Sequence, residues 1–134
     1  DVRIAAHDAK FGMPEVKVGI PSVIHAALLP RLIGMGRARW LVMTAENIDA
    51  STALAWGLVD QVAPSGGLDD AVEHTVKALL ECGPEALRIQ KELCRHWEEL
   101  PLAESVNLSV SEFGKSFLSG EPQRMMQGFL NRKR

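Results

Sequence analysis

Glu15 is the residue whose setting points most directly to chemistry. It stands between Pro14 and Val16, on a stretch that is otherwise apolar and flanked by glycines. Pro14 lacks an N–H and drives Met13 toward extended geometry, so Gly12-Met13-Pro14-Glu15 cannot be the interior of a helix. A carboxylate on such a loop is partly desolvated once a site closes over it, which suits it to proton transfer near neutral pH. The competing reading has Glu15 facing water or paired with Lys10, Lys17 or Arg31. His25, between Ile24 and Ala26 in the first turn of an apolar helix, reads as a packing or hydrogen-bonding side chain. His7, His74 and His96 fall in three separate elements, with no HxxxH or HxH spacing, so no metal site is expected. No nucleophile elbow, GxxxxGK loop or GxGxxG fingerprint is present. Gly34-Met35-Gly36 joins two helices. Cys82 and Cys94 lie in apolar helical stretches and read as packing; two cysteines exclude a disulfide scaffold.

These side chains need elements to hold them. Val2–Ala6 reads as a short strand, Asp8-Ala9-Lys10 as a turn, and Phe11 as the start of another extended piece. Val16, Val18 and Ile20 alternate weakly, as in an extended segment that Pro21 stops. Ser22 is placed to cap a helix over about residues 23–33 that ends at Gly34. A second helix runs from Arg37 to Thr44. Asp49 caps a short helix through Trp56, which Gly57 terminates, and a strand over 58–63 follows. Ser65-Gly66-Gly67 then separates residues 1–64 from residues 65–134, where the pattern is mostly helical. Leu68, Val72, Val76 and Leu79 mark one helical face, Ala86, Ile89, Leu93 and Trp97 a second, and Val106, Val110, Phe113 and Phe117 a third. The last helix covers about 121–131, with Met125, Phe129 and Leu130 on its apolar side.

The sequence has 134 residues, 46% of them apolar and 24% charged, which is the composition of a folding domain and not of a disordered chain. A formal charge of -2 gives no general nucleic-acid surface, and no unbroken apolar run is long enough for a membrane span. The C-terminal stretch from Glu121 holds four basic residues against one acid. Arg132-Lys133-Arg134 there reads either as a solvated terminus or as a contact for phosphates. Asp1 leads directly into strand residues, with no Met and no polar lead-in, so the chain reads as part of a longer one. Too few strands are visible for a stable sheet, and the preceding segment is expected to supply the rest.

The run Phe11-Gly12-Met13-Pro14-Glu15-Val16-Lys17-Val18-Gly19-Ile20 resembles the enoyl-CoA hydratase/isomerase (crotonase) superfamily. Further pieces agree in order: Leu29-Pro30-Arg31-Leu32-Ile33-Gly34 with Gly36-Arg37-Ala38, then Thr44 to Ala50 with Gly57-Leu58-Val59, and finally Gly128 to Arg134. The resemblance implies an α/β, crotonase-like spiral of ββα units, of which this chain is the C-terminal, mostly helical half. It implies acyl-CoA as substrate, no cofactor, homotrimers or dimers of trimers, and no nucleic-acid or membrane partner. A cytoplasmic setting is expected, with the mitochondrial matrix as the other compartment. Glu15 falls on the family's catalytic glutamate. The second glutamate and the oxyanion-hole N–H groups belong to the segment before Asp1, so the isolated chain is expected to be inactive. Many hydratases follow this motif with a glycine cluster. Here Ser22, Val23 and Ile24 put side chains in that loop, which implies a reshaped acyl pocket with Pro14, Ser22, Val23 and His25 at its wall. That departure keeps isomerase, thioester-hydrolase and non-catalytic scaffold readings open. Arg132 and Lys133 are implied contacts for the adenosine phosphates of coenzyme A.

Overall fold

The computed structural model describes residues 1–132. Internal contacts divide the chain into two compact units, Asp1–His74 and Thr75–Arg134.

In the first unit, short elements alternate. Strand β1 (Ile4–Ala6) pairs in parallel with β4 (Gln61–Ala63), Ala5 opposite Val62. Strand β2 (Lys10–Phe11) pairs antiparallel with β3 (Ile48–Asp49). Between them lie α1 (Leu29–Ile33) and α2 (Met35–Thr44), and α3 (Ala50–Trp56) follows β3. The core gathers Ala5, Leu29, Ile33, Leu41, Ile48 and Val59 around the fully buried Ala50 and Ala53. Those two alanines put no more than a methyl group between α3 and its neighbours. The expected cap is present: Asp49 Oδ1 accepts from Thr52 N at 2.7 Å and from Ser51 Oγ at 2.9 Å. These bonds favour the ionised carboxylate and hold its pKa below the ordinary value, the Thr52 backbone N–H contributing most.

Strand β1 is anchored to the entry of β4 by a side chain. Arg3 Nε and Nη2 donate to the two Asp60 oxygens at 3.1 and 2.8 Å, and Arg3 N donates to Oδ2 at 2.8 Å. Asp60 N returns a bond to Arg3 O at 2.8 Å. The strand expected over 58–63 shortens to Gln61–Ala63 because Leu58 N and Val59 N are taken by Ala53 O at the end of α3.

Two local expectations near Glu15 change. The alternating Val16–Ile20 stretch is not extended: Pro14–Val18 forms a 3-10 turn. Pro14 fits its first position, where no N–H is needed, and Gly19 closes it at φ 79°, a backbone region that a Cβ disfavours. The helix expected over 23–33 is split into a 3-10 segment, Ile24–Leu28, and α1. A continuous α-helix would set the Pro30 ring against the carbonyl of Ala26 and leave that carbonyl without an N–H partner. Ser22 does not cap this segment: Val23 occupies the cap position, with no side-chain cap bond.

The second unit is helical. Helix α4 (Leu68–Leu80) carries the chain into it, followed by α5 (Pro84–Glu99), α6 (Leu102–Ser116), a 3-10 turn at Phe117–Ser119, and α7 (Glu121–Arg132). Helices α5 and α6 pack together, with Trp97 Nε1 donating to Ser109 Oγ at 3.0 Å, and Phe113 of α6 meets Phe117 of the 3-10 turn edge-on at 5.4 Å. The carboxylate of Glu121, only 6% exposed, accepts from the backbone N–H groups of Glu85 and Ala86 at 3.1 and 2.9 Å. It thus caps α5 from 35 residues away, and a Cβ on Gly83 would collide with it. The helical stripes expected from the sequence exist as faces, yet Leu93 is the one apolar residue of this unit that is buried among the described residues. Met125, Met126, Phe129 and Leu130 are exposed, as are both free thiols, Cys82 and Cys94, which were expected in packing. Helical periodicity orders side chains onto a face, but coverage needs a second surface.

Candidate functional site

The 3-10 turn that begins at Pro14 carries Glu15 as its second residue. Its backbone is fixed twice: Gly19 N donates to Val16 O and Ile20 N donates to Glu15 O, both at 3.2 Å. The Glu15 side chain is half-buried, and Ser22 Oγ donates to its Oε2 at 2.8 Å. This is a short bond across the loop. Lys17, one of the cations considered as a partner for Glu15, instead donates to Glu46 at 3.5 Å.

The loop after Pro21 is strained. Val23 is extended, and Ile24 follows at φ 55°, the left-handed region that a β-branched side chain avoids. Its side chain is 78% exposed and that of Val23 62%. Pro14 and His25 are also exposed, His25 being in the first turn of the 3-10 segment. The loop therefore gathers Glu15 and Ser22 by direct contact, and places Pro14, Val23 and His25 on the adjoining segments. Arg132 closes α7 as a backbone position, and Lys133 lies outside the described residues.

Concavities lie elsewhere, two of them with distinct linings. One, of about 430 Å³, is lined in the first unit by Lys10, Trp40, Asn47, Asp49, Thr52 and Trp56. Trp40 and Trp56 meet edge-on there at 5.7 Å, and the Arg37 guanidinium lies over the Trp56 ring. The other, of about 450 Å³, runs between α5 and α6 in the second unit and is lined by Ile89, Leu93, Trp97, Val110 and Phe113. Glu15 and Ser22 line neither. No group of three or more His, Cys, Asp or Glu able to hold a metal ion exists among the described residues. No helix among them is long and apolar enough to cross a membrane.

Sequence reasoning singled out Glu15 but assigned Ser22 first to capping, because a serine ahead of an apolar helix is a strong local signal. The Glu121 cap on α5 was missed altogether, since nothing local links residues so far apart.

The family model described as enoyl-CoA hydratase/isomerase matches residues 1–134. The chain is similar to the short-chain-enoyl-CoA hydratase of Clostridium acetobutylicum, 30% identical over 135 residues, which are 100% of this chain and 52% of that protein. It is 33% identical over 135 residues to the crotonyl-CoA hydratase of Syntrophomonas wolfei, with the same shares covered. Among solved structures, the enoyl-CoA hydratase of Bacillus anthracis superposes with a TM-score of 0.93 at 28% identity, covering 98% of this chain and 52% of that one. The chain thus spans about half the length of the curated relatives it matches.

Proposed function

Because the chain belongs to the enoyl-CoA hydratase/isomerase family and has its crotonase-like α/β fold, we propose that the full-length protein adds water reversibly to a 2-enoyl-CoA thioester. The water oxygen bonds to C3, the C2–C3 double bond becomes single, and a proton goes to C2, which yields a 3-hydroxyacyl-CoA. Glu15 moves the proton at C2. The observation that carries this reading is the Glu15 carboxylate itself: half-buried, on a turn closed by Gly19, and held by Ser22. General acid–base work needs a carboxyl group fixed in this manner.

On this reading the chain is the C-terminal, mostly helical half of the catalytic domain. A segment preceding Asp1 supplies the second carboxylate, which takes the proton from water, and the two N–H groups that stabilise the thioester enolate. The chain spans about half the length of those relatives, which leaves room for a further segment of similar size. Pro14, Ser22, Val23 and His25 border the acyl group, while Arg132 and Lys133 meet the adenosine phosphates. Residues 1–64 form the part of the core with the catalytic loop. Residues 65–134 serve oligomerisation, as a trimer or dimer of trimers, and cover the coenzyme A site. The protein works without a cofactor, in the cytoplasm or the mitochondrial matrix.

The test is hydration of crotonyl-CoA by the full-length protein, followed by loss of the enoyl-thioester absorbance. Glu15→Gln is expected to lower kcat by about 10²- to 10⁴-fold, the usual worth of a positioned acid or base. Hydration that survives this substitution, or full activity from the 134-residue chain alone, would overturn the reading. The exposed Val23 and Ile24 favour a second one, in which the reshaped loop serves an isomerase or a thioester hydrolase. Double-bond migration or release of free coenzyme A without hydration would identify it. Coenzyme A binding with no turnover of any kind would mark a non-catalytic scaffold.

A further inference from the structure

Ser22 occupies a position where the local pattern calls for a helix cap, yet its hydroxyl is spent elsewhere. Val23 takes the cap position without a side-chain bond, and Ser22 Oγ reaches back seven residues to Glu15 Oε2 at 2.8 Å. The connecting backbone keeps a strained residue, Ile24 at φ 55°, immediately beyond. Ile20 N holds the Glu15 carbonyl on the other side of the same loop at 3.2 Å. The glutamate is therefore gripped at its main chain by the turn and at its side chain by Ser22.

We propose that Ser22 is a positioning residue for Glu15, which fixes the carboxyl through Oε2 so that proton transfer at C2 runs through Oε1. This rests on the reading of Glu15 as the proton-transfer group. Glutamate has three rotatable side-chain bonds, and a carboxyl free to turn spends little time aimed at one carbon. A hydroxyl donor on one oxygen selects a single orientation at the cost of one short hydrogen bond. Such a role differs from lining the acyl pocket. It acts on the chemical step and not on the affinity for substrate, and it requires the hydroxyl and not the bulk of the side chain.

The experiment uses the full-length protein with crotonyl-CoA as probe and compares Ser22→Ala, Ser22→Thr, Glu15→Gln and the Glu15→Gln/Ser22→Ala double variant. Ser22→Ala is expected to lower kcat by about 10- to 100-fold with KM within about twofold of wild type. Ser22→Thr, which keeps the hydroxyl, restores most of the loss. In the Glu15→Gln background Ser22→Ala has little further effect, because the group it acts through is already gone. Should Ser22→Ala fail to fold, Ser22→Cys, similar in size with a weak donor, takes its place. An unchanged kcat, a change in KM alone, or equal losses in the wild-type and Glu15→Gln backgrounds would each overturn the positioning role while the hydratase reading stands. A wild-type protein that hydrates no crotonyl-CoA overturns that reading first, and the role of Ser22 in proton transfer falls with it.

Discussion

The two units of this chain differ in how much apolar side chain they bury, although both leave large apolar residues exposed. The first, through His74, is built from strands of two or three residues and short helices, yet it buries Ala5, Leu29, Ile33, Leu41, Ile48 and Val59 in one core. The second has longer helices with well-formed apolar faces, and Val110, Phe113, Met126, Phe129 and Leu130 on them stay exposed. Strain is distributed the same way. Both non-glycine residues with left-handed backbone, Ile24 and Ala45, belong to the first unit among the described residues. Regularity of secondary structure is thus a poor guide to where a molecule is tightly determined. The candidate carboxylate sits on an irregular loop held by its own hydrogen bonds, from Gly19 N to Val16 O, Ile20 N to Glu15 O and Ser22 Oγ to Glu15 Oε2.

If that contrast is right, a cavity in the first unit is its most damaging lesion. Leu41, 2% exposed, should cost about 3 kcal/mol when cut to alanine, read as a lower urea midpoint with an unchanged slope. A loss below about 1 kcal/mol would break the comparison, since the first unit would then not depend on its interior.

The second unit should instead depend on a polar device. Glu121→Ala removes the buried carboxylate from the N–H groups of Glu85 and Ala86, and about 2 kcal/mol is expected to go with it. Glu121→Gln, which keeps an acceptor oxygen, should lose less. Thermal unfolding of the two variants side by side sharpens the point, and equal losses would show that the bonds to α5 contribute little.

A smaller effect carries a pH signature. The side-chain hydrogen bond from Arg3 comes first among the causes that hold Asp60 below the ordinary carboxylate pKa, with the Arg3 backbone N–H next. A depressed folded pKa means stability that is fully present above the unfolded value, near pH 4, and lost as pH falls through the folded one. Asp60→Asn should therefore cost up to about 1 kcal/mol at pH 7, a modest figure because the pair is substantially solvent-exposed. The gap from wild type should close in acid. A gap that is constant from pH 7 to pH 3 would remove the ion pair from the account.

The smallest expected change is a gain. Ile24→Gly relieves a β-branched residue at φ 55° and returns part of that relief as chain entropy in the unfolded state. A net rise of roughly 0.5 kcal/mol in stability is expected, measured by the same urea titration. A loss would show that Ile24, although exposed, contributes contacts worth more than its strain.

Much of this was legible along the chain. Asp49 reads as a cap because its partner, Thr52, lies three residues away, and the bond is there. Pro14 and Gly19 mark a turn around Glu15, although the intervening alternation of valines suggested an extended strand where a 3-10 turn forms. Pro30 hides a break that the apolar composition of 23–33 conceals. Ser22 was visible as a residue of interest, but its partner was not, because a local capping signal competes with a bond made across a loop.

The sequence by itself determined most of the α-helical segments from α2 onward, the cap and stop of α3, and that one carboxylate follows a proline in an otherwise apolar stretch. Those are consequences of backbone sterics, of capping groups within a few residues, and of a 3.6-residue period. Only the tertiary structure decided that Ser22 donates to Glu15, that Glu121 caps α5, and which apolar faces are covered. Each of those depends on groups far apart in the chain meeting within hydrogen-bond or van der Waals reach, and such a meeting is set by the packing of whole elements, not by the residues on either side.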